Sequence, residues 1–120
     1  MDPVTGLSCG RIVLGAASLL RPDVAANAFR LDLAANPQLS YVLRLFGARE
    51  VALGAVTLLA PAPARRALLA TGVAVDVADV ATAVQGAREG HVARQGAFGL
   101  AGPAAGAVLI GLLALRRPRG

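Results

Sequence analysis

The chain has 120 residues, enough for one compact domain and too few for two. Hydrophobic residues make up 56% of it and charged residues 16%, with a mean hydropathy of +0.62. Soluble domains carry roughly 25% charged residues, and a small domain has the most surface to cover, so this composition argues for a lipid-facing exterior. The net charge of +5 comes from twelve arginines and no lysine. They are scattered apart from the pairs Arg65-Arg66 and Arg116-Arg117, and aromatic residues are only 3% of the chain. Without a basic stripe or a stacking platform, no nucleic-acid partner is expected.

Four apolar segments and one amphipathic stretch follow in chain order. The first segment covers about residues 4–20. The preceding "MDPVTG" has no positively charged start and Arg11 interrupts the apolar run, so no cleaved signal is expected. The single cysteine, Cys9, leaves no intrachain disulfide and reads as a small packing residue. In "LRPDVAANAFRLDLAANPQ", Pro22 can occupy the first turn of a short helix, and Val24, Ala25, Ala28, Phe29 and Leu31 give it a modest apolar face. This stretch is expected to lie at the membrane interface and to end at Asn36-Pro37. The second segment covers about 39–60, the third about 66–87 and the fourth about 95–115. "APAPARR" is read as a proline turn between the second and third, and "GAREGHVARQG" as a polar connection before the fourth. Each segment is near the ~20 residues that cross a bilayer as a helix, and their wealth of Ala and Leu favours helix over strand.

Short links make consecutive helices antiparallel neighbours. The expected fold is therefore all-α: a single domain, residues 1–120, forming an up-down four-helix transmembrane bundle with a short interfacial helix in the first loop. The termini then share a side with Arg65, Arg66, Arg116, Arg117 and Arg119. The opposite side holds Arg21, Arg30, Arg88 and Arg94, diluted by Asp23, Asp32 and Glu89. The positive-inside rule places the first side in the cytoplasm of a cell whose inner (plasma) membrane the chain crosses several times.

Five charges lie deep in these segments. Arg11 is near the middle of the first, Arg49 and Glu50 of the second, and Asp76 of the third, with Asp79 one turn further on. In antiparallel helices spanning one slab they come to nearly the same level. An ionised side chain at the bilayer centre costs at least ~2.5–3.5 kcal/mol, so five independent charges would not insert, whereas two positives facing three negatives inside a bundle would. The helical period supports inward placement. Asp76 and Asp79 share a face with Gly72 and Ala83, Glu50 with Gly47 and Gly54, and Arg11 with Ser8, Gly15 and Ser18. Rows of small residues are how membrane helices pack, and Gly6-x-x-x-Gly10 and Gly102-x-x-x-Gly106 add two such patterns. Pro103 should kink the fourth helix, as membrane helices often tolerate, or so as to open a cavity beside the charges.

The cluster has two readings. It is a structural ion-pair network that registers the helices, or a site, the default for ionisable groups within a membrane. As a site it would bind or process a lipophilic small molecule by acid–base chemistry. Asp76 or Asp79 would be acid or base, Arg49 the charge partner or oxyanion stabiliser, and Glu50 and Arg11 orienting groups. Gly47, Gly54, Gly72 and Pro103 would shape the binding space. Whether any reaction is catalysed stays open at this point. No phosphate-cradling loop, Cys/His metal set or nucleophile elbow is present, Asp76-x-x-Asp79 alone is weak evidence for Mg²⁺, and no cofactor or metal is expected. His91, the only histidine, sits in a polar connection and reads as solvated. The bilayer is the expected partner, with a second copy of the chain a further candidate, since proton-coupled transport by four short helices would require dimerisation.

The stretches "GRIVLGAASLLRPD", "AFRLD", "RLFGARE" and "VDVADV" cover most of residues 10–80. Through them the chain resembles a family of small bacterial four-helix integral membrane proteins, a domain of unknown function. That resemblance implies a membrane bundle in which Arg49, Glu50 and the aspartates are the family-like polar positions, and it brings no activity.

Overall fold

The computed structural model of the protein describes residues 2–116 and is built of helices. They are α1 (Pro3–Leu20), α2 (Pro22–Ala28), α3 (Leu39–Leu59), α4 (Ala62–Arg88) and α5 (Arg94–Arg116). The four long segments of the sequence are each a helix. The expected positions of Arg117 and Arg119 lie outside the described residues, as does the side chain of Arg94.

Helix boundaries follow local chemistry. Asp2 caps α1: its carboxylate accepts from the Thr5 backbone N–H at 2.9 Å and from the Thr5 hydroxyl at 2.9 Å. Pro3 follows in the first turn, where a missing N–H costs no helical bond. For the same reason Pro63 is accommodated near the start of α4, which begins four residues earlier than the reading of "APAPARR" as a turn; the turn is confined to Ala60 and Pro61. Arg65 reaches back across it, donating to the carbonyls of Ala60 (3.1 Å) and Leu58 (3.4 Å) at the end of α3. A cation there satisfies carbonyls that have no partner within the helix.

α2 ends at Ala28, not at Asn36-Pro37. Arg30 adopts a left-handed backbone (φ 60°), Leu31 N–H donates to Ala26 O at 2.8 Å and Arg30 N–H to Asn27 O at 3.2 Å. α4 stops in the same way at Gly90 (φ 77°), with His91 N–H on Gly86 O and Gly90 N–H on Ala87 O. These are the paired bonds of a Schellman motif, which glycine enters freely and arginine only with steric strain. At Arg30 the turn brings Leu31 back onto an apolar cluster, where it packs with Ala25, Ala26, Phe29 and Leu43 and so offsets that strain. Phe29 and Phe46 meet edge to face there, with centroids 5.8 Å apart. Val24 and Ala28, expected on the apolar face of α2, are exposed instead; Pro22, Ala25 and Ala26 are the buried positions.

Packing is strongest within two pairs, α1 with α3 and α4 with α5. α1 and α3 run antiparallel at backbone contact. A Cβ built on Gly15 would lie 2.6 Å from Gly47 O, one on Gly47 2.8 Å from Leu19 N, and one on Gly54 2.6 Å from Ser8 O. The α1 face Ser8, Arg11, Gly15, Ser18 and the α3 face Leu43, Gly47, Glu50, Gly54, Thr57 are buried, as the helical period predicts. α5 crosses α4 where Gly111 meets Val73, and it approaches the end of α2 where Gly99 meets the Phe29 carbonyl. Of the expected small-residue patterns, Gly10, Gly102 and Gly106 make no such contacts: a Cβ on any of them would meet nothing within 4 Å.

Large apolar side chains are exposed and several polar ones are buried. Leu59 is 85% exposed, Leu20 73% and Phe98 71%, while Ser8, Ser18, Arg11, Glu50, Thr57 and Asp76 are buried. The buried hydroxyls of Ser18 and Thr57 are satisfied by the carbonyls of Leu14 and Leu53, one turn back. α1, α4 and Gly96–Arg116 are long and apolar enough to cross a membrane. α3 is equally long but carries Arg44, Arg49 and Glu50.

Three outcomes follow. Gly47→Ala should lower the thermal midpoint in detergent, because the methyl must push α1 and α3 apart, at a cost of about 1–3 kcal/mol. Gly10→Ala should leave the midpoint unchanged or raise it, by up to about 0.5–1 kcal/mol from helix propensity. The Asp2 carboxyl is held below its ordinary range by the Thr5 N–H and then the Thr5 hydroxyl. A depressed carboxylate stabilises the fold above its unfolded pKa and loses that contribution as pH falls through the lowered value. Exchange of the Thr5 amide, corrected for its intrinsic rate, should therefore accelerate relative to mid-helix amides only at acidic pH, and should be insensitive to pH in Asp2→Ala.

Candidate functional site

The five deep charges meet in one chain of ion pairs. Arg11 Nη1 donates to Glu50 Oε2 at 3.0 Å and to Asp76 Oδ1 at 3.1 Å, and Arg11 Nη2 donates to Asp76 Oδ2 at 2.5 Å. Arg49 Nη2 donates to Glu50 Oε1 at 3.3 Å and to Asp79 Oδ2 at 2.9 Å. Order along the chain is Asp76, Arg11, Glu50, Arg49, Asp79, so α1, α3 and α4 are tied through side chains. Adjacent on α3, Arg49 and Glu50 reach α4 and α1 respectively, and also bond each other.

The two halves differ in burial. Glu50 and Asp76 are each 3% exposed and Arg11 7%. The Arg49 side chain is 40% exposed and that of Asp79 29%. Gly72 makes room for the inner half: a Cβ there would lie 2.9 Å from Arg11 Nη2. The outer half leans on Phe46, whose ring centroid is 5.0 Å from the Arg49 guanidinium carbon, within cation–π range. Phe46 was missed in the sequence, although its place three residues before Arg49 puts both on one helical face.

All five charges line a cavity of about 830 Å³ between α1, α3, α4 and α5. Its wall runs on α1 from Gly6 to Leu14, on α3 from Leu39 to Glu50, on α4 from Asp76 to Ala83 and on α5 from Leu100 to Ile110, so the charges stand within a largely apolar wall. Phe29, Leu31 and Leu100 wall one end. Pro103 lines the cavity, within an α5 that stays helical through it. Gly10 and Gly106 line it too, and their missing side chains leave it open. Gly47 and Gly54 instead lie in the α1–α3 contact, and Gly72 lies under Arg11. His91 is exposed beside Glu89, apart from these groups.

Chemically, two guanidinium groups oppose three carboxylates. Asp76 has both oxygens engaged by Arg11, and Glu50 has one oxygen on each arginine. Among the described residues, Arg49 Nε and Nη1 donate to no protein atom and Asp79 Oδ1 accepts from none. Glu50, Asp76 and Asp79 bring carboxylate oxygens within 4.8 Å of one another, a set able to hold a cation; the two arginines stand among them and already supply positive charge.

Arg11→Met should lower stability by about 3–5 kcal/mol, because it leaves Glu50 and Asp76 buried without their partner. The triple change Arg11→Met, Glu50→Gln, Asp76→Asn should recover much of that loss. Asp79→Asn should cost less than Arg11→Met, because Arg49 keeps its bond to Glu50 and the amide oxygen can still accept from it. Unfolding of the four proteins in one detergent gives all three comparisons.

No protein-family model, curated protein or solved structure matches the chain, so its function has to be read from the site itself.

Proposed function

We propose that the protein is an up-down four-helix bundle of the inner (plasma) membrane, with both termini cytoplasmic, whose cavity binds a lipophilic small molecule against the Arg49–Asp79 pair. The observation that carries this is the cavity of about 830 Å³, apolar over most of its wall and lined by all five deep charges. Ligand sites are commonly concave, mostly apolar and furnished with a few convergent polar groups, at roughly 300–1,000 Å³. α3 would join the three apolar helices as a fourth span, since Glu50 and Arg49 are neutralised by α1 and α4.

The roles divide by burial. Asp76, Glu50 and Arg11 orient the site and hold the helices. Asp79, with one oxygen unbonded among the described residues, is the carboxylate placed to exchange a proton with a bound molecule, and Arg49 the group placed to stabilise a negative oxygen. Acid–base processing would use that pair, and binding alone needs no more. A second reading is that the charges only register the helices in an accessory membrane subunit. The contacts of Arg11 with both Glu50 and Asp76, joining three helices, favour it for the inner half.

Gly106→Leu separates the two readings, because its side chain enters open space and leaves packing intact. In nanodiscs, long-chain amphiphiles should shift the methyl resonances of Leu14, Leu100 and Ile110 saturably in the wild type and not in Gly106→Leu. Leu59, on the lipid side, should report only bulk partitioning in both. Equal, non-saturable shifts in the two proteins would leave the structural reading. The membrane assignment has its own check: the protein should stay with the pellet after carbonate washing, and recovery in the supernatant would overturn it.

A further inference from the structure

Resting on that cavity-binding reading, we infer that the occupant is an uncharged lipophile whose head group both accepts and donates hydrogen bonds, the simplest case being a long-chain alcohol. The inner half of the charge chain has little left to offer a ligand. Both oxygens of Asp76 and both of Glu50 are engaged by arginine. Among the described residues lining the cavity, spare capacity lies in one matched set: the Nε and Nη1 donors of Arg49 and the Oδ1 acceptor of Asp79, on two side chains already 2.9 Å apart at Nη2–Oδ2. A ligand polar at one point and able to do both jobs fits this set, and a hydroxyl is such a group.

Charge selects against the alternatives. A carboxylate head that approaches the spare donors of Arg49 is brought beside Asp79 and Glu50, which already outnumber the local cation. An ammonium that approaches Asp79 is brought beside Arg49. Either ion must also leave water for a cavity walled by Leu39, Phe46 and Leu100, where desolvation is costly. A neutral head meets neither penalty. It also completes the hydrogen bonding of two part-exposed charged groups, which would otherwise face hydrocarbon with unused donors and acceptors.

Oleyl alcohol, oleate and oleylamine share one tail and differ in head charge. Each is titrated into the full-length protein in phosphatidylcholine nanodiscs, with the Leu14, Leu100 and Ile110 methyls as readout and partitioning into protein-free discs subtracted. Oleyl alcohol should bind about tenfold more tightly than either ion, the scale that one or two spared hydrogen bonds supply. Asp79→Asn should remove most of the preference over oleate and leave or widen that over oleylamine, while the methyl shifts stay saturable. Oleate or oleylamine binding as tightly as the alcohol, in a way that Gly106→Leu abolishes, overturns the head-group inference and leaves the cavity reading standing. Absence of saturable binding by all three overturns both. The wild-type ranking alone decides the matter if Asp79→Asn fails to fold.

Discussion

The fold depends on the guanidinium of Arg11. It leaves α1 to meet Glu50 on α3 and Asp76 on α4 at once, and all three groups are buried. Two carboxylates without that cation, or the cation without them, would be an uncompensated charge in a low-dielectric interior. The helices are therefore constrained to the one arrangement in which the three groups meet. In a bilayer apolar burial would not impose this, because lipid solvates leucine as well as a neighbouring helix does.

Close approach is what makes the pairing geometrically available. Gly15, Gly47 and Gly54 let α1 and α3 touch through backbone atoms, and Gly72 vacates the space that the Arg11 head fills. An arginine side chain placed between helices would ordinarily hold them apart. Here the α1–α3 contact is made on either side of it by residues with no side chain, while the guanidinium projects across to α4. The apolar cluster of Ala25, Ala26, Phe29 and Leu43 closes the far end, and the left-handed turn at Arg30 returns the chain to it.

The same economy of side chains leaves the cavity. α1 and α3 form one tight pair, α4 and α5 another, and contacts between the pairs are lighter. Where the pairs face each other, Gly10 and Gly106 leave room and the charge chain holds the separation near its own length. The outer members, Arg49 and Asp79, are thus both the last link of the helix-joining network and part of the cavity wall.

The sequence by itself determined which residues face inward. A helix turns by a fixed angle per residue, so Ser8, Arg11, Gly15 and Ser18 must share a face, and so must Gly47, Glu50 and Gly54, whatever the helices pack against. The matched depth of the five charges likewise followed from segment length alone. Partner choice required the tertiary structure. That Arg11 takes both Glu50 and Asp76, while Arg49 takes Asp79, depends on which helices cross and how closely, and periodicity carries no such information. Glycine spacing was ambiguous for the same reason: Gly10, Gly102 and Gly106 form patterns as plausible as those of Gly15, Gly47 and Gly54, yet only the latter lie at a crossing. The end of α2 was hidden too, because the strained turn at Arg30 is stabilised by burying Leu31 against residues distant in the chain. Local geometry fixes faces; only the simultaneous satisfaction of buried charge, close backbone contact and apolar packing decides which faces meet.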